Sequence, residues 1–168
     1  MNRETFSLRN EPLGPLYKRL IRIATLETSH AYLITQTDPV SESVRNALAV
    51  LEKEEVRRLT VREWPGTVLS GSRSATLHEY SCTRNLANAL TRLANGLYDW
   101  IEPNLPEDLG FLRSDGSAWL ASIAHERDAF FELSRLELER LLNREPHLNS
   151  LVVLGDVTES RQQGDVKD

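Results

Sequence analysis

Among the side chains with which this chain could move protons or attack carbon are four histidines, His30, His78, His125 and His147, and one cysteine, Cys82. The tightest titratable cluster is His125-Glu126-Arg127-Asp128. An imidazole oriented by a carboxylate is a general base, so one reading is a small hydrolase or transferase using His125 with Glu126 or Asp128. No nucleophile or oxyanion donor is recognisable beside it, and short charged runs of this kind are more often solvated turns. His78 and Cys82 invite a thiol–imidazole pair, but four residues along a strand span ~13 Å, which leaves structural roles for both. No two histidines have the spacing of a zinc helix or finger, so no metal is expected. Gly66, Gly71 and Gly96 are isolated, and Ser70-Gly71-Ser72-Arg73-Ser74 lacks the lysine and spacing of a nucleotide loop; it reads as a turn, and no cofactor is expected.

Charge is most uneven between Arg92 and Arg113, where Asp99, Glu102, Glu107 and Asp108 occur with no intervening Lys or Arg. Pro103 and Pro106 predict that these carboxylates sit on an exposed connection, beside Tyr98 and Trp100. A partner with a basic surface would gain on-rate and orientation there. Of the three tryptophans, Trp119 shares a predicted strand face with Ala121 and Ile123, and Trp100 adjoins a leucine stripe. Trp64, before Pro65-Gly66, is the freer one and joins the candidate contact surface.

Those acids must be carried by a fold, and the periodicities outline it. Tyr17–Leu26 and Ala31–Thr35 are runs of β-branched and aromatic residues separated by Glu27-Thr28-Ser29-His30, which predicts a hairpin. Asp38-Pro39 predicts a cap and first turn for a helix carrying Val44, Ala47, Leu48 and Leu51 to near Glu54. Strand patterning follows over Val56–Glu63, Thr67–Ser70 and Ala75–Cys82, with Pro65-Gly66 and Gly71-Ser72 as breaks. Leu86, Leu90, Leu93, Leu97 and Ile101 mark a helix that begins near Thr83 and stops before Pro103. Leu109–Arg113 and Ala118–Ile123 flank Asp115-Gly116 as a hairpin, and Ala129–Leu133 alternates as a third strand of a meander. Ser134 and Glu137 have capping-box spacing ahead of Leu138, Leu141 and Leu142, and Leu151–Leu154 predicts a short strand.

Strands thus come in groups rather than alternating one-for-one with helices. The expected class is α+β: an antiparallel sheet of hairpins and a C-terminal meander with about three helices packed on it. Residues 1–154 form one domain in this reading, and 155–168 a polar, mobile tail. Net charge is −5, from 20 basic and 25 acidic residues, which disfavours a broad grip on nucleic-acid phosphate. A lone cysteine permits no intramolecular disulfide, and no segment reads as a secretory signal or membrane span, so a cytoplasmic protein is expected.

At Tyr98-Asp99-Trp100 through Pro103, Leu105-Pro106-Glu107-Asp108-Leu109 with Phe111, Asp115-Gly116, Trp119-Leu120 and Ala124-His125-Glu126 with Asp128-Ala129, the chain resembles small bacterial proteins, some with the look of immunity proteins from toxin systems. The resemblance implies a non-enzymatic protein-binding domain that neutralises a basic toxin. The alternatives are the His125 enzyme and a structural or regulatory subunit, including a homodimer.

Overall fold

The computed structural model describes residues 1–155. Ten strands and four α-helices follow in chain order: β1 Glu4–Leu8, α1 Pro15–Glu27, β2 His30–Thr35, α2 Glu42–Leu51, β3 Glu55–Val61, β4 Glu63–Trp64, β5 Thr67–Val68, β6 Ala75–Ser81, α3 Arg84–Leu93, β7 Glu107–Leu112, β8 Ala118–Ile123, β9 Asp128–Leu133, α4 Arg135–Arg144 and β10 Val152–Leu154. Eight strands form one sheet in the order β10-β1-β9-β8-β7-β2-β6-β3, and every neighbouring pair is antiparallel. The remaining two, β4 and β5, make a small separate hairpin. This is the α+β class expected from the grouping of strands, with four helices.

Alternation of side chains divides β2 between two cores. Ala31 and Leu33 join the main cluster, built with Tyr17, Leu20, Ile21 and Ala24 of α1 and Leu86, Ala87, Ala89 and Leu90 of α3. Tyr32 and Ile34 join a smaller cluster with Trp64, Leu69, Ala75 and Leu77 on the other face. Tyr17 Oη donates to Leu90 O (2.9 Å) and accepts from Trp100 Nε1 (3.0 Å), tying both helices to the buried Trp100.

The run Tyr17–Leu26 is helix, not the first arm of a hairpin. Its buried residues Tyr17, Leu20, Ile21 and Ala24 recur at helical spacing, and Pro15 starts the first turn. The β-branched content of Ile21, Ile23 and Thr25 yields to packing against α3. Asp38-Pro39 does not cap α2: Ser41 does, accepting from Val44 N (3.1 Å), and 36–41 is a connection. The helix after Thr83 ends at Leu93, and Leu97–Asp99 is a separate 3₁₀ turn, so the leucine stripe spans two pieces. β1 lies in the polar opening stretch, where only Phe6 and Leu8 face inward.

The C-terminal half follows its patterning closely. β7, β8 and β9 form the meander, and α4 carries the capping box, with Glu137 N donating to Ser134 Oγ (3.2 Å) and Ser134 N to Glu137 Oε2 (2.7 Å). In the β7–β8 turn Gly116 takes the positive φ (82°), while Asp115 Oδ1 accepts from Ser117 N (2.9 Å). Of the expected tail, residues 156–168 lie outside the described residues. Among the described residues no helix is long and apolar enough to cross a membrane.

Candidate functional site

The acidic segment is folded largely inward. Asp108 is 1% exposed, so it does not stand on an exposed connection. Its Oδ2 accepts from Trp64 Nε1 and its Oδ1 from Ala124 N, both at 2.9 Å. Burial raises its pKa above the ordinary value, opposed by those two hydrogen bonds. Trp64 is correspondingly buried at 6%, not free, because the β4–β5 hairpin is laid against the β2–β6 face. Glu102 Oε2 accepts from Gln36 N (3.1 Å), Thr37 N (3.3 Å) and Thr37 Oγ1 (3.2 Å). Glu107 Oε2 accepts from Gln36 Nε2 (2.6 Å), and burial holds its carboxyl above the ordinary range despite that bond. Only Asp99 of the four is exposed, with Oδ2 accepting from Asn95 N (2.8 Å). Glu102 and Glu107 therefore brace the turn after β2.

His125 is exposed on a 3₁₀ turn between β8 and β9, with Nε2 3.8 Å from Glu126 Oε1. It is near enough to draw the pKa values of Glu107 and Asp108 downward. Asp128 opens β9 just after Arg127, whose φ is +52°.

The turn braced by Glu102 walls a polar cavity of about 450 Å³ that sequence spacing did not reveal. Thr35, Arg58, Thr60, Thr76 and His78 line it from β2, β3 and β6, and Arg45 and Leu48 from α2. Register assembles its centre: Leu33 and Arg58 flank His78 on either side, and Thr35 lies opposite Thr76, one step diagonal to the imidazole. Glu55 opposes Tyr80 while Arg58 opposes His78, so three steps on β3 match two on β6. This bulge puts Glu55 and Arg58 on one face, which a regular strand forbids for residues three apart.

The result is a continuous chain. Thr35 Oγ1 lies 2.9 Å from His78 Nε2, and His78 Nδ1 lies 3.1 Å from Glu55 Oε1. Arg58 donates to both Glu55 oxygens, at 2.6 and 3.1 Å. Burial pushes Glu55 upward, yet hydrogen bonds from Arg58 and His78 prevail and hold it below the ordinary range. Burial lowers the His78 pKa against its Glu55 bond, which favours the neutral ring. The carboxylate assigns the proton to Nδ1, which leaves the Nε2 lone pair to accept from the Thr35 hydroxyl.

A second feature lies between α1 and α3. A cavity of about 530 Å³ is lined by Arg22, Thr25, Leu26, Cys82, Thr83, Arg84, Ala87 and Asn88. One of about 330 Å³ beside it shares Arg22 and Asn88 and adds Lys18, Thr91 and Arg92. Every charged residue lining this groove is positive. Lys18 and Arg22 are one turn apart on α1, as are Arg84 and Asn88 on α3, so each helix turns a polar stripe outward while its apolar stripe faces the sheet. Leu26 stands 76% exposed at one end.

Among the described residues, no group of three or more His, Cys, Asp or Glu side chains is placed to hold a metal ion. No protein-family model matches the chain, and neither a curated protein nor a solved structure is detectably similar to it.

Proposed function

We propose that this chain is a protein-binding domain that takes an acidic, partly apolar segment of a partner in the groove between α1 and α3. The observation that carries the reading is the one-signed lining of Lys18, Arg22, Arg84 and Arg92, with the exposed Leu26 at one end. The net charge of −5 is unfavourable to any anion at long range, so an acidic peptide must be held by the local basic rim and by apolar side chains entering the groove. An inhibitory role of the immunity type falls within this class, with the partner supplying the acidic surface. For a basic partner the acidic segment offers less, since Asp108 is buried and Glu102 and Glu107 are engaged by the 36–37 turn.

The test places a photo-crosslinking amino acid at Leu26 in the full chain, with a control at Val68 on the β4–β5 hairpin, in source-cell lysate. An acidic protein captured from position 26 alone, and lost when Arg22→Glu and Arg84→Glu are combined, supports the proposal. Salt should weaken that capture. Capture that ignores the charge reversal, capture equally from position 68, or no capture at all refutes it.

A further inference from the structure

We infer that the polar cavity beside α2 is a hydrolytic site for carboxylic esters bearing a negative group, with Thr35 as nucleophile, His78 as general base and acid, and Glu55 as the positioning residue. The hydrogen bonds run in the order such chemistry needs: hydroxyl to imidazole Nε2, imidazole Nδ1 to carboxylate. Both Thr35 and His78 line the cavity, so the reacting pair faces a space able to hold a small molecule.

Arg45 from α2 and Arg58 from β3 line the same cavity, together with Thr60 and Thr76. Arg58 is committed to Glu55 and fixes its direction. Arg45 is exposed on α2, and its side chain donates from Nη1 to Val40 O at a long 3.4 Å, so it can turn to a substrate carboxylate. Asp38 is also in the lining, on the braced turn, so arginines outnumber acids there two to one.

The steps balance without an outside reactant other than water. Thr35 Oγ attacks the ester carbonyl carbon as its proton passes to His78 Nε2. The carbon–alkoxide bond then breaks, and the alcohol leaves with the proton from His78, giving an acyl-threonine. Water attacks that acyl carbon, loses a proton to His78 Nε2, and the proton returns to Thr35 Oγ as the acid departs.

The experiment uses the full chain with the 4-nitrophenyl monoester of succinate, and neutral 4-nitrophenyl acetate for comparison. The expected result is nitrophenol release with a succinyl group on the Thr35 peptide by mass spectrometry. Release and adduct should vanish in Thr35→Val and His78→Gln, and survive in Thr35→Ser, which restores a hydroxyl. Arg45→Ala, on an exposed helix face, should raise KM for the succinate ester about tenfold more than it raises KM for the acetate. Glu55→Gln should lower kcat more than it raises KM. Thermal melts identify any variant that has merely unfolded, and Thr35→Ser and Arg45→Ala keep the question open if Thr35→Val or His78→Gln has. No release above buffer, release that survives in folded Thr35→Val, or an adduct elsewhere overturns the proposal.

Discussion

Removing the Asp108 carboxylate should loosen the seam between the two cores, and the size of the effect follows from its partners. Asp108 receives the Trp64 indole N–H and the Ala124 backbone N–H at 2.9 Å each, with 1% of its surface exposed. Hydrogen bonds to a charged acceptor contribute about 1.5–3 kcal/mol each, and stranding a buried donor costs about 1–3 kcal/mol. Asp108 also takes φ +57° at a register shift between β2 and β7, a conformation that alanine adopts less readily than aspartate. Asp108→Ala should therefore cost about 4 kcal/mol, discounted for water that enters the vacated space. Trp64→Phe removes one donor and should cost about 2 kcal/mol. In the double variant no indole N–H is left stranded, so the two losses should fall short of additivity by about 1.5 kcal/mol or more. The assay is urea denaturation followed by far-ultraviolet circular dichroism, which does not depend on Trp64. Additivity within about 0.5 kcal/mol would refute the argument that this bond pins the β4–β5 hairpin.

Gly110→Ala should destabilise by about 3 kcal/mol in the same assay, because a Cβ there would lie 2.3 Å from the ring of Tyr32, which is fully buried and has nowhere to retreat. Arg113→Ala should cost about 2 kcal/mol at neutral pH, since Arg113 donates to Glu137, Ala118 O and Glu132 O. Burial pushes Glu137 upward, but the Ser134 backbone and Arg113 hold its folded pKa below the ordinary value. Its stability contribution is thus present above the unfolded pKa and lost as pH falls through the folded one. The gap between wild type and Arg113→Ala should narrow from about pH 7 to about pH 3, as read from denaturation midpoints. Burial pushes the Cys82 thiol up to about 11 from 9.0, with Thr28 pulling the other way. At pH 8 this lowers the thiolate fraction about 100-fold, so a thiol reagent should label the native protein far more slowly than the urea-unfolded chain.

Local chemistry made the second half of the fold readable. Ser134 and Glu137 announce a helix start within four residues, and Ala129, Phe131 and Leu133 alternate because one face of β9 is buried. The first half depends on distant partners. Tyr17–Leu26 contains enough Ile, Thr and Tyr to read as strand, and only the spacing of Tyr17, Leu20, Ile21 and Ala24, with Pro15 ahead, marks the helix. That misreading also hid the basic groove, because Lys18 and Arg22 share an outer stripe only when the segment is helical. The polar cavity was hidden for a different reason. Thr35, Glu55 and His78 come from three strands, and their meeting depends on a register and a bulge that no local pattern records. The acidic segment was visible as composition, but its inward turn is set by Trp64, Gln36 and Thr37, all distant in sequence.

The position of β1 has a bearing on how the chain is made. Phe6 is opposite Phe131 of β9 on one side and Leu154 of β10 on the other, so the first of the described strands in chain order is inserted between the last two of them. At ordinary translation rates it must wait roughly ten seconds on the ribosome before β9 emerges. During that interval Phe6 and Leu8 have no sheet to enter, while β2, β3 and β6 can already pair with one another. Folding should therefore begin around the β2–β6–β3 region and close last where β1 enters between β9 and β10. A ribosome stalled before Asp128 would hold out a segment fit for chaperone capture.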